Sequence, residues 1–203
     1  MLTLYYYPGA CSLAPHIILE EGEFEFELKL VDLHEKKTGS GRDFLEINPK
    51  GYVPALAFED GTVLTEVVAI LQYLGDQVPD KGLVPKSGTM DRYRLQESLS
   101  YLSSEVHKLF GVFYDPNISD KYKDETKKKI LSRFSYLSGQ LGERAYLMGE
   151  QYTVADAYLF TLLGFTTHFG IELPSNSHLL EYMGRVLQRP SVVNTLKKEG
   201  LIE

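Results

Sequence analysis

Up to about residue 80 the apolar positions come in short runs or strict alternation, and beyond it they recur every three or four residues. Between Glu23 and Leu30, Phe24, Phe26, Leu28 and Leu30 fall on one side while Glu23, Glu25, Glu27 and Lys29 fall on the other. This period of two predicts a half-buried strand. Leu2 to Tyr6 is apolar and aromatic and is broken by Pro8-Gly9, which predicts an earlier strand ending in a turn. Leu13, Ile17 and Ile18 place one apolar face on a helix over Ser12 to Glu21, long enough to connect two parallel strands.

A polar stretch from His34 to Arg42 follows, then a short helical piece near Asp43–Ile47 that Asn48-Pro49 ends. Val53 to Phe58 and Thr62 to Leu64 flank Glu59-Asp60-Gly61, the composition of a hairpin turn. Thr65 is placed to cap a helix from Glu66 to about Gly75. The order βαβ then ββα is that of a thioredoxin-like domain, predicted here over residues 1–80.

Turn formers from Val78 to Gly82 open a linker over 81–88, and no strand is evident after it. Leu95, Leu99, Leu102, Val106 and Leu109 step by four and three, the buried seam of one long helix from about Met90 to Tyr114. Further helices are predicted near 121–143, 153–169, 176–188 and 190–199. The fold class is therefore α/β plus all-α, with an all-helical domain over 89–203.

Charge changes the picture by excluding partners. Of the net charge of -7, residues 1–80 carry 14 acidic and 5 basic side chains. A phosphate-binding surface needs clustered Lys and Arg, so nucleic acid is not expected as a partner there. Lys127-Lys128-Lys129 reads as a solvated helix face. No apolar run reaches the roughly 18 residues of a membrane span, and no basic, cleavable leader precedes the first strand, so a cytoplasmic location is expected. One cysteine allows neither an internal disulfide nor a four-cysteine zinc site, and His16, His34, His168 and His178 lack ligand spacing, so no metal is expected.

That cysteine, Cys11, follows Pro8-Gly9-Ala10 at the predicted start of the first helix, where backbone N–H groups and the helix dipole favour a thiolate. A small buried hydrophobe is the alternative. Cys11-Ser12-Leu13-Ala14 contains no second thiol, so any disulfide needs an outside thiol such as glutathione. Val53-Pro54 before a strand predicts a cis bond that turns the Val53 backbone outward, free to pair with an extended peptide. Glu66-Val67 opens a helix whose free N–H groups suit a carboxylate, with Glu66 within reach of a neighbouring ammonium. Gln96, Ser100, Ser104 and His107 form a polar stripe beside the leucine seam. Thr153-Val154-Ala155-Asp156 has the form of a capping box, and Asp156 is read as structural.

Taken together, YYYPGACSLAPHIILEE, NPKGYVPAL, LTEVVAILQYL, SSEVHK and TVADAYLF run in order along nearly the whole chain, which resembles the beta-class glutathione transferases of bacteria. The resemblance implies a detoxifying homodimer that joins the thiol of glutathione, its co-substrate, to an apolar electrophile. Catalytic roles would fall on Cys11, His107 and Tyr6, the last being a lesser group in this class. Lys36, Val53, Pro54, Glu66, Val67, Ser100, Ser104 and Glu105 would line the glutathione site. Two positions depart from the family pattern: Val67, where serine, threonine or glycine is usual, and Ser100, where some relatives carry asparagine. Both bear on glutathione affinity. Two other readings stay open at this stage, a glutathione-dependent disulfide reductase using Cys11 covalently and a transferase-like binding or regulatory protein without catalysis.

Overall fold

The computed structural model describes residues 1–142, 144–175 and 177–203, which pack as two compact units. The first unit joins Met1–Lys81 to Arg189–Glu203, and the second is Gly82–Gln188.

In the first unit, strands β1 (Leu2–Tyr6), β2 (Phe26–Asp32), β3 (Lys37–Thr38), β4 (Ala55–Ala57) and β5 (Val63–Thr65) form one sheet in the order β3-β2-β1-β4-β5. β1 runs parallel to β2 with Leu2 opposite Phe26, as the α1 crossover (Leu13–Glu21) predicts, and β4 and β5 form the expected hairpin with Ala55 opposite Thr65. β3 is the strand that periodicity missed, because two residues carry no period. β2 begins at Phe26 and not at Glu23. Glu23 adopts φ 55° and Phe24 N–H donates to the carbonyl of Leu19, so the chain is still leaving the helix there. Leu30, assigned to the apolar face, is exposed, and Val31 is buried instead. Val31, Phe44, Val53 and Ala55 form a core cluster over which Tyr5, Ala10 and Ile47 pack, so the side chain of Val53 anchors the segment whose backbone matters below.

The helix expected from Glu66 is α2 (Val67–Gln77), and α8 (Pro190–Lys198) packs on α1. The expected helical domain over 89–203 thus differs from the packing at its C-terminal end. Glu199 lies buried against His16 at 2.8 Å, Glu21 pairs with Arg189 and accepts from Ser191, and Lys198 pairs with Glu20. Pairing over such sequence distances leaves no local signal.

The second unit is helical: α3 (Met90–Tyr101), a π-helical segment (Leu102–His107), α4 (Lys108–Phe110), a 3₁₀ turn (Gly111–Tyr114), α5 (Asp120–Leu141), α6 (Val154–His168) and α7 (His178–Val186). The expected ends at Glu143 and Asn176 lie outside the described residues. α6 is buried along Val154–Leu163, and its capping box is present, with Asp156 Oδ2 accepting from Thr153 N–H at 2.8 Å and from its hydroxyl at 3.0 Å. Among the described residues no helix is long and apolar enough to cross a membrane.

The single long helix predicted over Met90–Tyr114 is corrected. A π segment widens the turn and shifts every following side chain around the axis. Leu95, Leu99, Leu102 and Val106 are buried as predicted, but Phe110 takes the next core position and Leu109 is only half-buried.

Candidate functional site

In the first unit the candidate residues other than Tyr6 and Lys36 lie on three chain segments. After β1 the chain turns at Tyr7–Ala10, where Ala10 N–H donates to the carbonyl of Tyr7 at 3.0 Å. Buried Ser12 ties this turn down, accepting from Tyr7 N–H and donating to Tyr7 C=O, both at 3.2 Å. Gly9, at φ 70°, donates its N–H to Glu199 at 2.8 Å. Cys11 therefore stands on a fixed loop just ahead of α1.

Of the two readings of Cys11, thiolate or buried thiol, its surroundings favour the thiol. Burial pushes the Cys11 thiol up to about 12, the charge of Glu66 adds to the rise, and the N–H groups of Cys11 and Ser12 offset only part of it. Desolvation of the anion outweighs the helix start. The side chain is a protonated thiol that donates to the carbonyl of Val53 at 3.2 Å.

The second segment contains Val53. The Val53-Pro54 bond is cis, as predicted. The turn before it is held by Asn48, which is buried: its Nδ2 donates to Tyr52 C=O at 2.7 Å and its Oδ1 accepts from Lys50 N–H at 3.2 Å. Gly51, at φ 70°, needs the freedom of glycine, since a Cβ there would also meet Leu45 at 3.2 Å. Lys36, itself at φ 55°, donates its ammonium to Gly51 C=O at 2.9 Å and lies over the Tyr52 ring.

The third segment joins β5 to α2. Thr65 was expected to cap the helix, but it belongs to β5, and the capping position is Glu66 at φ 72°, ψ 121°, with no side-chain cap bond. Such backbone is strained for a non-glycine residue and clusters at ligand sites. The first helical bond is Ile70 N–H to Glu66 C=O at 3.0 Å, so the N–H groups of Val67, Val68 and Ala69 precede the ladder. Val67 is 7% exposed, its side chain turned into the unit. Lys50 Nζ donates to Glu66 Oε1 at 2.6 Å and to Thr65 Oγ1 at 2.9 Å.

Tyr6 is brought to a different neighbourhood. Its ring lies edge-on to His16 at 6.2 Å, and burial followed by the charge of Glu199 raises its pKa, so it remains a phenol. His16 and Glu199, which composition and motif gave no reason to pair, are the polar groups that sequence reasoning missed here.

In the second unit the polar stripe divides. Ser100 and Ser104 are exposed, with Ser104 Oγ donating to Ser100 C=O at 2.9 Å, and Glu105 pairs with Arg133 at 3.0 Å. His107, at the end of the π segment, turns into the helices: its Nδ1 is 2.7 Å from the Tyr158 hydroxyl and its ring lies against Phe165. Burial lowers its pKa, which keeps the imidazole neutral near pH 7. Tyr158, on α6, was also missed by sequence reasoning. Among the aromatics, Phe110 is core, Phe113 stacks on Phe169 at 5.0 Å, and Tyr114 is 66% exposed. Among the described residues no group of three or more His, Cys, Asp or Glu could hold a metal ion.

Comparison with known proteins gives this arrangement a context. Residues 9–77 match the glutathione S-transferase N-terminal domain and residues 96–190 the C-terminal domain. The chain is 40% identical to the glutathione S-transferase GstA of Escherichia coli O157:H7 over 98% of this chain and 100% of that one. A sphingomonad glutathione S-transferase solved in complex with glutathione superposes with a TM-score of 0.94 at 44% identity, covering 98% of this chain and 100% of its own. The bacterial beta-class enzyme of Sphingomonas chungbukensis gives 0.95 at 44% identity, with the same coverage.

Proposed function

The chain belongs to the glutathione S-transferase family and to its bacterial beta class, and on that premise we propose which residues bind glutathione and how they assist its reaction. The reaction is that of the family: the sulfur of glutathione bonds to an electrophilic carbon, and the leaving group departs with its bonding pair.

The observation that carries the residue assignment is the Val53 backbone, held by a cis Val53-Pro54 bond and a buried valine side chain, with the Cys11 thiol on its carbonyl. An extended tripeptide pairs with Val53 as a short added strand. Its γ-glutamyl carboxylate takes the N–H groups opening α2, and Glu66 takes the α-ammonium. The Val67 side chain offers no hydroxyl, so backbone N–H groups bear this contact. Lys36 contributes its ammonium near the Gly51 turn.

Cys11 then acts by donating. A thiol whose pKa is about 12 is a poor nucleophile at neutral pH, but its S–H can turn from the Val53 carbonyl to an anionic glutathione sulfur once the proton of glutathione has left to solvent. This supports conjugation over a covalent role for Cys11. On the strength of the resemblance, His107, neutral and held by Tyr158, and Ser100, Ser104 and Glu105 are kept as the second unit's candidate ligand residues. Tyr6, with its raised pKa and its place beside His16, is given a supporting role. The half-buried Phe113 and exposed Tyr114 suit a mostly apolar electrophile. A homodimer, a cytoplasmic location and a place in detoxification complete the proposal on the strength of the resemblance.

Calorimetric titration with reduced glutathione tests the assignment. One tripeptide per chain is expected to bind at millimolar ligand or below, with affinity falling about 10-fold or more in Glu66→Gln as a charged hydrogen bond is lost. Wild-type affinity in Glu66→Gln would remove Glu66 from the site.

A further inference from the structure

We propose that Lys50 is a positioning residue of the glutathione site, setting the Glu66 carboxylate for the ligand's α-ammonium; this rests on the glutathione reading above. The argument begins with where Lys50 starts. Its backbone belongs to the Asn48–Tyr52 turn, pinned at Lys50 N–H by Asn48 Oδ1, at Gly51 N–H by the Asn48 carbonyl at 2.8 Å, and at Gly51 C=O by the Lys36 ammonium. From that fixed base its side chain reaches across to the β5–α2 junction and donates to two acceptors on consecutive residues, Thr65 Oγ1 and Glu66 Oε1. One lysine thus ties the turn leading to Val53 to the junction bearing Glu66, the two segments to which the tripeptide's backbone and its γ-glutamyl end are assigned.

An isolated ion pair between exposed side chains contributes little. Lys50 differs in being bound to a second acceptor, and in facing a residue whose backbone, at φ 72°, already fixes where its side chain leaves the chain. With Oε1 held by Lys50, Glu66 keeps few rotamers and presents its other oxygen. Without Lys50 the carboxylate regains the freedom of an exposed glutamate and must be ordered by the ligand itself, which weakens binding.

The positioning role predicts a ligand-dependent defect. Lys50→Met should raise the calorimetric Kd for glutathione about 5-fold, leave the Kd for glutaryl-cysteinyl-glycine, the same tripeptide without its α-ammonium, within about 2-fold, and leave the thermal midpoint nearly unmoved. Lys50→Arg should recover most of the glutathione affinity. Equal weakening toward both ligands, or no weakening toward either, would overturn the proposal. Wild-type protein that bound neither ligand would instead overturn the glutathione reading, and the proposal with it.

Discussion

In the first unit the candidate groups hang on turns and a strained junction, held by charges that reach water: Lys50 with Glu66, and Lys36 on the Gly51 carbonyl. In the second, His107 and the structural Asp156 hang on helices and are fixed by part-buried and buried contacts, His107 on Tyr158 and Asp156 on Thr153, Leu147 and Tyr182, while Ser100, Ser104 and Glu105 stay exposed. The contrast separates two jobs. A carboxylate that is paired yet open to water can take a charged ligand at its other oxygen at little expense, whereas buried hydrogen bonds hold one geometry because breaking them leaves polar atoms desolvated. Cys11, partly accessible, is the exception in the first unit, since desolvation of its sulfur outweighs the helix start beside it.

The largest effect that would break this contrast concerns Cys11. At pH 8 without ligand, alkylation by iodoacetamide should run about 1,000-fold slower than for free cysteine, because a pKa near 12 leaves correspondingly less thiolate. A rate like that of free cysteine would return Cys11 to the exposed, ligand-exchanging class.

Asp156 tests the buried side. Burial raises its carboxyl from 3.8 to about 6 against the hydrogen bonds that lower it. The folded state holds this proton more tightly than the unfolded state does. Its contribution is therefore fully present below about pH 3.8 and is lost as pH rises through about 6, on the order of 3 kcal/mol. Urea denaturation across pH 4 to 7 should show this slope in the wild type and a flatter one in Asp156→Asn. Equal slopes would mean that Asp156 is not desolvated as described.

The smallest effect is Tyr158→Phe. Losing the His107 partner should lower stability by about 1 kcal/mol in the same denaturation assay. An unchanged midpoint would place His107 among the adaptable groups of the first unit.

Local chemistry explains which features could be read ahead of the structure. Pro8-Gly9, the Glu59-Asp60-Gly61 turn, Val53-Pro54 and Thr153 through Asp156 each act within a few residues, and each led to the right element. Features that depend on packing were silent. The π segment at Leu102–His107 leaves the heptad-like seam almost unchanged in sequence yet turns His107 inward. The strained Glu66 replaces an ordinary threonine cap, and Lys50 finds it 16 residues away. Glu199 meets His16 across 183 residues. Cys11 stayed open between thiolate and buried thiol because the helix start is visible in the sequence and the desolvation around the sulfur is not.

What Cys11 does is the point on which the mechanism turns, and two substitutions at that position decide it. With reduced glutathione and an aromatic electrophile, Cys11→Ser keeps a hydrogen-bond donor and should conjugate within about 3-fold of the wild type, while Cys11→Ala should fall about 10-fold and raise the pKa at which bound glutathione gains its thiolate absorbance. Loss of conjugation in Cys11→Ser to the level of Cys11→Ala would contradict the donor role and require the sulfur of Cys11 itself.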